Sequence, residues 1–165
     1  MNNLDEKDLE ILGILQRDAR TTHVAIGKEI GLTGPSVYSR IGRLEKSGVI
    51  LGYTAQLHGE KVEQGLVAFV RLSVKTAAIT GDEEAFIEYV KLEPNIIDCF
   101  DVDGEDSYIL KVRAASPQHL RLIVAGIRAQ PAVVSTITSI SLLQIKDAGV
   151  IAPVSNTSFG LEREA

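Results

Sequence analysis

The chain has 165 residues, which is typical of one or two small domains, and a formal charge of −5. Because 45% of its residues are hydrophobic, its composition is that of a globular protein and excludes a disordered chain. No apolar run approaches the roughly 18 residues of a membrane span, and the acidic N-terminus is not a secretory signal. We therefore expect a cytoplasmic protein with no membrane partner. The single cysteine, Cys99, excludes a disulfide within one chain and a multi-cysteine metal site, and the three histidines are too scattered for a metal motif. The sequence also contains no phosphate loop and no dinucleotide glycine motif, so neither a metal nor a cofactor is expected.

Three short amphipathic helices are predicted in the first 47 residues. Asp5 can cap the first helix, Thr22 precedes the second, and Gly31 supplies the left-handed residue that ends it. Thr33 caps the third helix, which is predicted over residues 34–47. The predicted apolar faces are Leu9, Ile11, Leu12 and Leu15 in the first helix, Val24, Ala25, Ile26 and Ile30 in the second, and Val37, Ile41 and Leu44 in the third.

The short turn between the second and third helices makes this segment a helix-turn-helix candidate, with a plain three-helix scaffold as the alternative. The polarity of the third helix favours DNA binding, because residues 34–48 carry three basic side chains against one acidic side chain. Arginine can also bond guanine in the major groove, and small residues at a helix start let backbone N–H groups approach phosphate. The predicted DNA-contacting residues are Thr33, Pro35, Ser36, Ser39, Arg40 and Arg43.

Two further residues of this segment are notable. Gly42 lies inside the third helix, where glycine costs about 1 kcal/mol relative to alanine. Tight packing or the close approach of a partner backbone would explain it. His23, near the start of the second helix, is interpreted as a surface residue or a phosphate contact.

The pattern of the chain predicts two domains. Residues 1–57 form the helix-turn-helix domain, which ends in an extended exit strand or small wing over residues 49–57. The polar stretch 58–65, with glycine at both 59 and 65, is the predicted linker. Residues 66–146 form the second domain, and residues 147–165 form a C-terminal tail.

The second domain alternates strands and helices in the order β-α-β-β-α-β, which is the ferredoxin-like plait of the α+β class. Strands are predicted over 66–75, 96–102, 107–114 and 132–145, and helices over 82–92 and from Pro117 onwards. Helices on one face of such a sheet leave its other face open. We expect Val67, Phe69, Ile109 and Thr138 to lie on that open face, and an exposed apolar sheet face predicts self-association.

Several spaced motifs resemble the leucine-responsive/asparagine (Lrp/AsnC) family of transcriptional regulators, and the resemblance covers residues 4–146. The motifs are Leu4-Asp5-x-x-Asp8-x-x-Ile11-Leu12, Gly31-Leu32-Thr33, Val37-x-x-Arg40-Ile41-x-Arg43-Leu44-Glu45 and Gly48-Val49-Ile50-x-Gly52-Tyr53-x-Ala55. The resemblance implies a winged helix-turn-helix regulator that binds double-stranded DNA. It also implies homodimers formed through the plait sheets and assembled further into tetramers or octamers.

The resemblance further implies a small-molecule effector, commonly an amino acid, bound between plait domains. The matching loop is Gly104, Glu105, Asp106 and Ser107, and the matching part of the last strand holds Thr136 and Thr138. Ser107 replaces the family's second loop aspartate, which removes a charge that would pair with an α-amine. A solvated hairpin turn is the alternative interpretation of this loop.

An enzyme is the competing function, because tetrapyrrole (sirohaem-type) decarboxylases resemble the same architecture. Such an enzyme would need clustered basic and histidine side chains in the plait domain. His119 is the only histidine there, and the hairpin loop is acidic. The sequence therefore favours a regulator that has no catalytic residues.

Overall fold

The computed structural model describes residues 4–75 and 81–146, and the chain divides into two compact units. The first unit contains the chain up to Ala55, and the second is Gln56–Ile145. The predicted tail at 147–165 lies outside the described residues.

The first unit contains three helices, α1 (Glu6–Arg17), α2 (His23–Ile30) and α3 (Gly34–Lys46). Each begins where a side chain caps it: the side chains of Asp5, Thr22 and Thr33 each accept a hydrogen bond from the backbone N–H three residues later. Gly31 ends α2 in the left-handed conformation, with φ of 73°. The three helices and their start signals were predicted from these residues.

The core between the helices is aliphatic and differs in part from the predicted faces. The buried residues are Ile11, Ile14, Ile26, Ile30, Val37, Ile41 and Leu44. The prediction omitted Ile14, and it was wrong for Val24 and Ala25, which are exposed. Val24 lies about 160° around the helix axis from Ile26, at about 100° per residue, and so faces away from the core.

The predicted exit strand does not form in the single chain. Residues 51–58 contain no strand, because a strand needs a neighbour to accept its hydrogen bonds and the described part of the first unit has no other strand. The predicted linker is also not free. It contains a 3-10 helix, Gly59–Val62, and Arg113 Nη1 donates to the Gln64 carbonyl at 3.1 Å, so the segment is held within the second unit.

The second unit is a plait with the predicted order of elements. The elements are β1 (Leu66–Val74), α4 (Asp82–Leu92), β2 (Ile96–Asp101), β3 (Tyr108–Ala114), α5 (Pro117–Arg128) and β4 (Val133–Ile140). The four strands pair antiparallel in the order β2-β3-β1-β4. The last strand ends at Ile140 and not at residue 145.

The two faces of the sheet have different surroundings. One face packs on α4 and α5 and forms the core, which includes Val70, Leu110, Phe86 and Ile127. The other face is open, and its exposed rings are Phe69 at 42% and Phe100 at 58%.

The register of β4 corrects one residue of the predicted open face. Thr138 pairs with Val70, whose side chain is buried on the helix side, so Thr138 also points to that side. Ile137 pairs with Arg71 and occupies the open face instead.

Candidate DNA-binding and effector sites

The side of α3 opposite its buried face carries a narrow strip formed by Pro35, Ser39, Gly42 and Lys46, which we call the outer strip. A Cβ atom built on Gly42 meets nothing within 4 Å. Packing among the described residues therefore does not explain this glycine. Pro35 and Ser39 are predicted DNA contacts, whereas Lys46 is not among them.

One predicted contact residue at the start of α3, Thr33, caps the helix itself. The Thr33 hydroxyl accepts a hydrogen bond from the backbone N–H of Ser36 at 3.4 Å. This cap leaves the other backbone N–H groups of the first turn without intrahelical acceptors, as at any helix start. Ser36 is partly buried beside the outer strip.

Arg40 and Arg43 are bound to carboxylates of α1. Arg40 Nη1 lies 2.7 Å from Asp5 Oδ2 and 2.8 Å from Asp8 Oδ1, and Arg43 Nη2 lies 2.7 Å from Asp8 Oδ1. The Asp8 side chain is fully buried, whereas the side chains of Arg40 and Arg43 are 26% and 54% exposed. The basic surplus of residues 34–48 is thus compensated by α1, which the count along α3 alone did not include.

The carboxylates also cap α1 reciprocally. Asp5 Oδ1 accepts from the Asp8 N–H at 2.9 Å, and Asp8 Oδ2 accepts from the Asp5 N–H at 3.2 Å. Hydrogen bonds from Arg40, together with the Asp8 N–H, hold the pKa of Asp5 below its ordinary value. Asp8 therefore joins the start of α1 to α3, a role that the sequence analysis did not assign to it.

An aromatic contact lies on the flank of the outer strip. The rings of His23 and Tyr38 are 5.4 Å apart between centroids and tilted by 56°. Tyr38 was not among the predicted contacts, although an unpaired tyrosine off the apolar stripe of α3 could have indicated it.

In the second unit, the hairpin loop between β2 and β3 is tied to β1. Gly104 has φ of 147°, and a Cβ atom there meets nothing within 4 Å. The carboxylate of Asp106 lies 3.5 Å from Arg71 Nη1, and the Ser107 hydroxyl accepts from the Val74 N–H at 3.1 Å. The hydroxyl that replaces the family's second aspartate is thus engaged with the backbone of β1.

Thr136 and Thr138 lie across β1 from this loop. Thr136 pairs with Leu72, which also pairs with Tyr108 at the start of β3. The loop and the two threonines are therefore not on adjacent strands, because β1 separates β3 from β4. The Thr136 hydroxyl accepts from Arg128 Nε at 2.7 Å. The Thr138 hydroxyl is buried and has no hydrogen-bond partner among the described residues.

A capped helix-turn-helix with an unobstructed outer strip, joined to a plait with an open sheet face, defines the class of two-domain DNA-binding regulators. Comparison with known families places the chain within that class. Residues 4–45 match the AsnC-type helix-turn-helix domain, and residues 67–151 match the Lrp/AsnC ligand binding domain. The chain belongs to the Lrp/AsnC family of transcriptional regulators.

Individual relatives agree with this assignment. The leucine-responsive regulatory protein of Escherichia coli is 32% identical over 88% of this chain and 89% of its own length. The regulator LrpC of Bacillus subtilis is 35% identical over 68% of this chain and 76% of its own length. The structure of the Neisseria meningitidis regulator NMB0573 with L-Met has a TM-score of 0.85 at 28% identity and covers 90% of this chain and 96% of that one.

These relatives are transcriptional regulators, so the comparisons support a regulator with a ligand-binding domain and do not support the decarboxylase alternative. Across the described ranges, no helix is both long and apolar enough to span a membrane.

Proposed function

We propose that this regulator binds duplex DNA through the outer strip of α3, as a homo-oligomer in the cytoplasm, and that a small polar effector at the plait hairpin adjusts that binding. In this proposal residues 1–57 bind DNA, and residues 66–146 bind the effector and oligomerise. The observation that carries the proposal is the outer strip, which has small side chains, a glycine without internal contacts and an exposed lysine. Such a strip lets a helix approach a groove of the duplex closely.

Salt dependence of DNA binding tests the strip. Lys46→Ala removes one cation per subunit, so in a dimer whose two lysines contact phosphate the slope of log K against log [salt] should fall by about 1.8. Fluorescence anisotropy titrations at several salt concentrations measure the slope. Lys91→Ala is the matched control, because Lys91 is an exposed lysine of α4 in the other unit. Equal slopes for the two variants would remove Lys46 from the DNA contacts.

Self-association through the open sheet face is the second part of the proposal. Phe69 and Phe100 expose their rings there, and large exposed apolar side chains on one face of a sheet mark an interaction surface. Phe69→Glu should therefore lower the molar mass measured by light scattering at micromolar concentration. Leu92→Glu, which places the same charge on an exposed residue at the end of α4, should leave the mass unchanged. A Phe69→Glu protein of undiminished mass would place the interface elsewhere.

The effector part is supported by the geometry of the hairpin and by the neighbour crystallised with L-Met. Gly104 leaves open space, and the exposed carboxylate of Glu105 favours a cationic group. Thermal-shift measurements against the amino acids should find a stabilising ligand, because a ligand that binds the native state raises the apparent stability. Gly104→Arg should abolish that shift and leave DNA binding intact.

Ser107→Asp provides a second test of the effector site by the same thermal-shift measurement. Aspartate can accept the Val74 N–H with one oxygen and offer the other to an α-amine, so α-amino acids should bind this variant more tightly. If Gly104→Arg and Ser107→Asp both leave the affinity of an identified ligand unchanged, the loop is only a turn and the site lies elsewhere.

A further inference from the structure

The first unit exposes an apolar patch beside the outer strip. Its members are His23, Val24 and Tyr38, which we call the Tyr38 patch. Tyr38 is 66% exposed and Val24 is 59% exposed, although both side chains are large and apolar in most of their area. Neither contributes to the core of the three helices.

Contacts between α2 and α3 bring these side chains close together. A Cβ atom on Gly34 would lie 3.1 Å from Val24 Cγ2, so the first turns of the two helices touch. The His23 ring packs at a tilt against the Tyr38 ring, with 5.4 Å between the centroids. This contact restricts the directions that the tyrosine ring can take, although its outer edge remains in solvent.

The Tyr38 patch is continuous with the outer strip. On α3, Tyr38 lies one turn from Pro35 and one turn from Gly42, since residues three and four apart are neighbours on a helix surface. A duplex that approaches Gly42 closely would therefore also cover the exposed edge of the tyrosine ring.

The chemistry of the patch selects what it contacts on the duplex. Phosphates attract cations, and the ring of Tyr38 and the methyl groups of Val24 carry no charge. The apolar feature of the major groove is the C5-methyl group of thymine, which apolar and aromatic side chains contact in direct readout. A contact of this kind distinguishes thymine from the other bases, whereas phosphate contacts are independent of sequence.

We propose that the Tyr38 patch recognises thymine C5-methyl groups and sets a thymine preference at one position of each DNA half-site. Tyr38 makes the contact with Val24 beside it, and His23 is a positioning residue that acts through the Tyr38 ring. This inference rests on the proposed DNA-binding function.

The test begins with selection of bound duplexes from a random library by the full-length wild-type protein. In the selected site, each thymine is then replaced singly by deoxyuridine, which removes only the C5-methyl group. At one thymine per half-site the wild-type Kd should rise about fourfold, the value that corresponds to the transfer of one CH₂ group out of water. For Tyr38→Ala, the Kd values for thymine and deoxyuridine at that position should be equal.

Three further variants separate the roles. Tyr38→Phe should keep the fourfold ratio, because the ring and not the hydroxyl makes the contact. His23→Ala should reduce the ratio without changing the salt slope, whereas a histidine that contacts phosphate would change the slope. Lys46→Ala should weaken binding to all sequences and keep the ratio.

The possible results of these experiments distinguish failure of the DNA-binding function from failure of the thymine readout. Selection that enriches no duplex would overturn the DNA-binding function and this inference with it. Enriched sites without a methyl-dependent position, or a methyl effect that survives in Tyr38→Ala, would overturn the thymine readout alone. Equal unfolding temperatures of wild type and Tyr38→Ala would show that the variant is folded, as the exposure of the ring leads us to expect.

Discussion

Replacement of Asp8 by asparagine should destabilise the helix-turn-helix unit selectively. Asparagine keeps the size of the side chain and an oxygen for the capping hydrogen bond, so the main loss is the charge that Arg40 and Arg43 contact. Removal of one partner of a buried ion pair costs about 3–5 kcal/mol. Both arginines reach solvent in part and can recover hydration, which lowers the expected loss to about 2–4 kcal/mol.

Hydrogen exchange measured by mass spectrometry can assign this loss to one unit, because it reports opening segment by segment. At 1.4 kcal/mol for each factor of ten, exchange of the protected amides in α1–α3 should accelerate about 30- to 700-fold in Asp8→Asn. Exchange in the plait strands should remain at the wild-type rate.

Arg17→Ala is the matched control, because it also breaks an ion pair between helices of the same unit. Arg17 Nη2 lies 3.2 Å from Glu29 Oε1, but both side chains are largely exposed. Such pairs contribute at most about 1 kcal/mol, which corresponds to a fivefold acceleration or less. If Asp8→Asn and Arg17→Ala accelerate exchange to the same extent, the buried carboxylate does not stabilise this unit as argued.

Three other predictions concern stability. The pKa of Asp5 is lowered in the folded state, above all by Arg40. The contribution of Asp5 to stability is therefore present above the unfolded pKa of about 3.9 and is lost as pH falls through the lower folded value. Asp5→Asn should flatten the fall in unfolding temperature measured between pH 6 and pH 3, and an unchanged pH profile would contradict this. A Cβ on Gly27 would clash with a backbone carbonyl, whereas a Cβ on Gly13 meets nothing within 4 Å. Thermal unfolding should therefore show a loss of stability of about 1–3 kcal/mol for Gly27→Ala and a gain of up to about 1 kcal/mol for Gly13→Ala. Changes of the same sign in the two variants would refute this prediction. Tyr108→Phe removes the 2.7 Å hydrogen bond to the Glu83 carboxylate of α4. Urea unfolding of the plait should show a loss of stability of about 1 kcal/mol. No loss would mean that this hydrogen bond makes no net contribution to stability.

The location of Asp8 also changes how variants of α3 are interpreted. Because Arg40 holds both Asp5 and Asp8, a loss of DNA affinity in Arg40→Ala would combine a lost contact with a displaced helix. Lys46, which lies on the outer strip and has no role in this network, is the cleaner probe of DNA contact.

Features that depend on a few neighbouring residues could be predicted from the sequence. Asp5, Thr22 and Thr33 could be identified as helix starts, because a cap is a hydrogen bond to the backbone three residues away. Gly31 marked the end of α2 for a similarly local reason, its positive φ. The alternation of apolar residues along β1 likewise placed Val70 in the core and Phe69 on the open face. The order of elements and the motifs then led to the family.

Tertiary structure alone decided the features that depend on which elements meet. Arg40 and Arg43 are 32 and 35 residues from Asp8, and no local pattern shows that these charges neutralise one another in space. The side of the sheet on which Thr138 lies follows from the register of β4, and a shift by one residue would reverse it. The contact of His23 with Tyr38 likewise depends on the crossing of two helices, because only packing brings side chains from separate elements together.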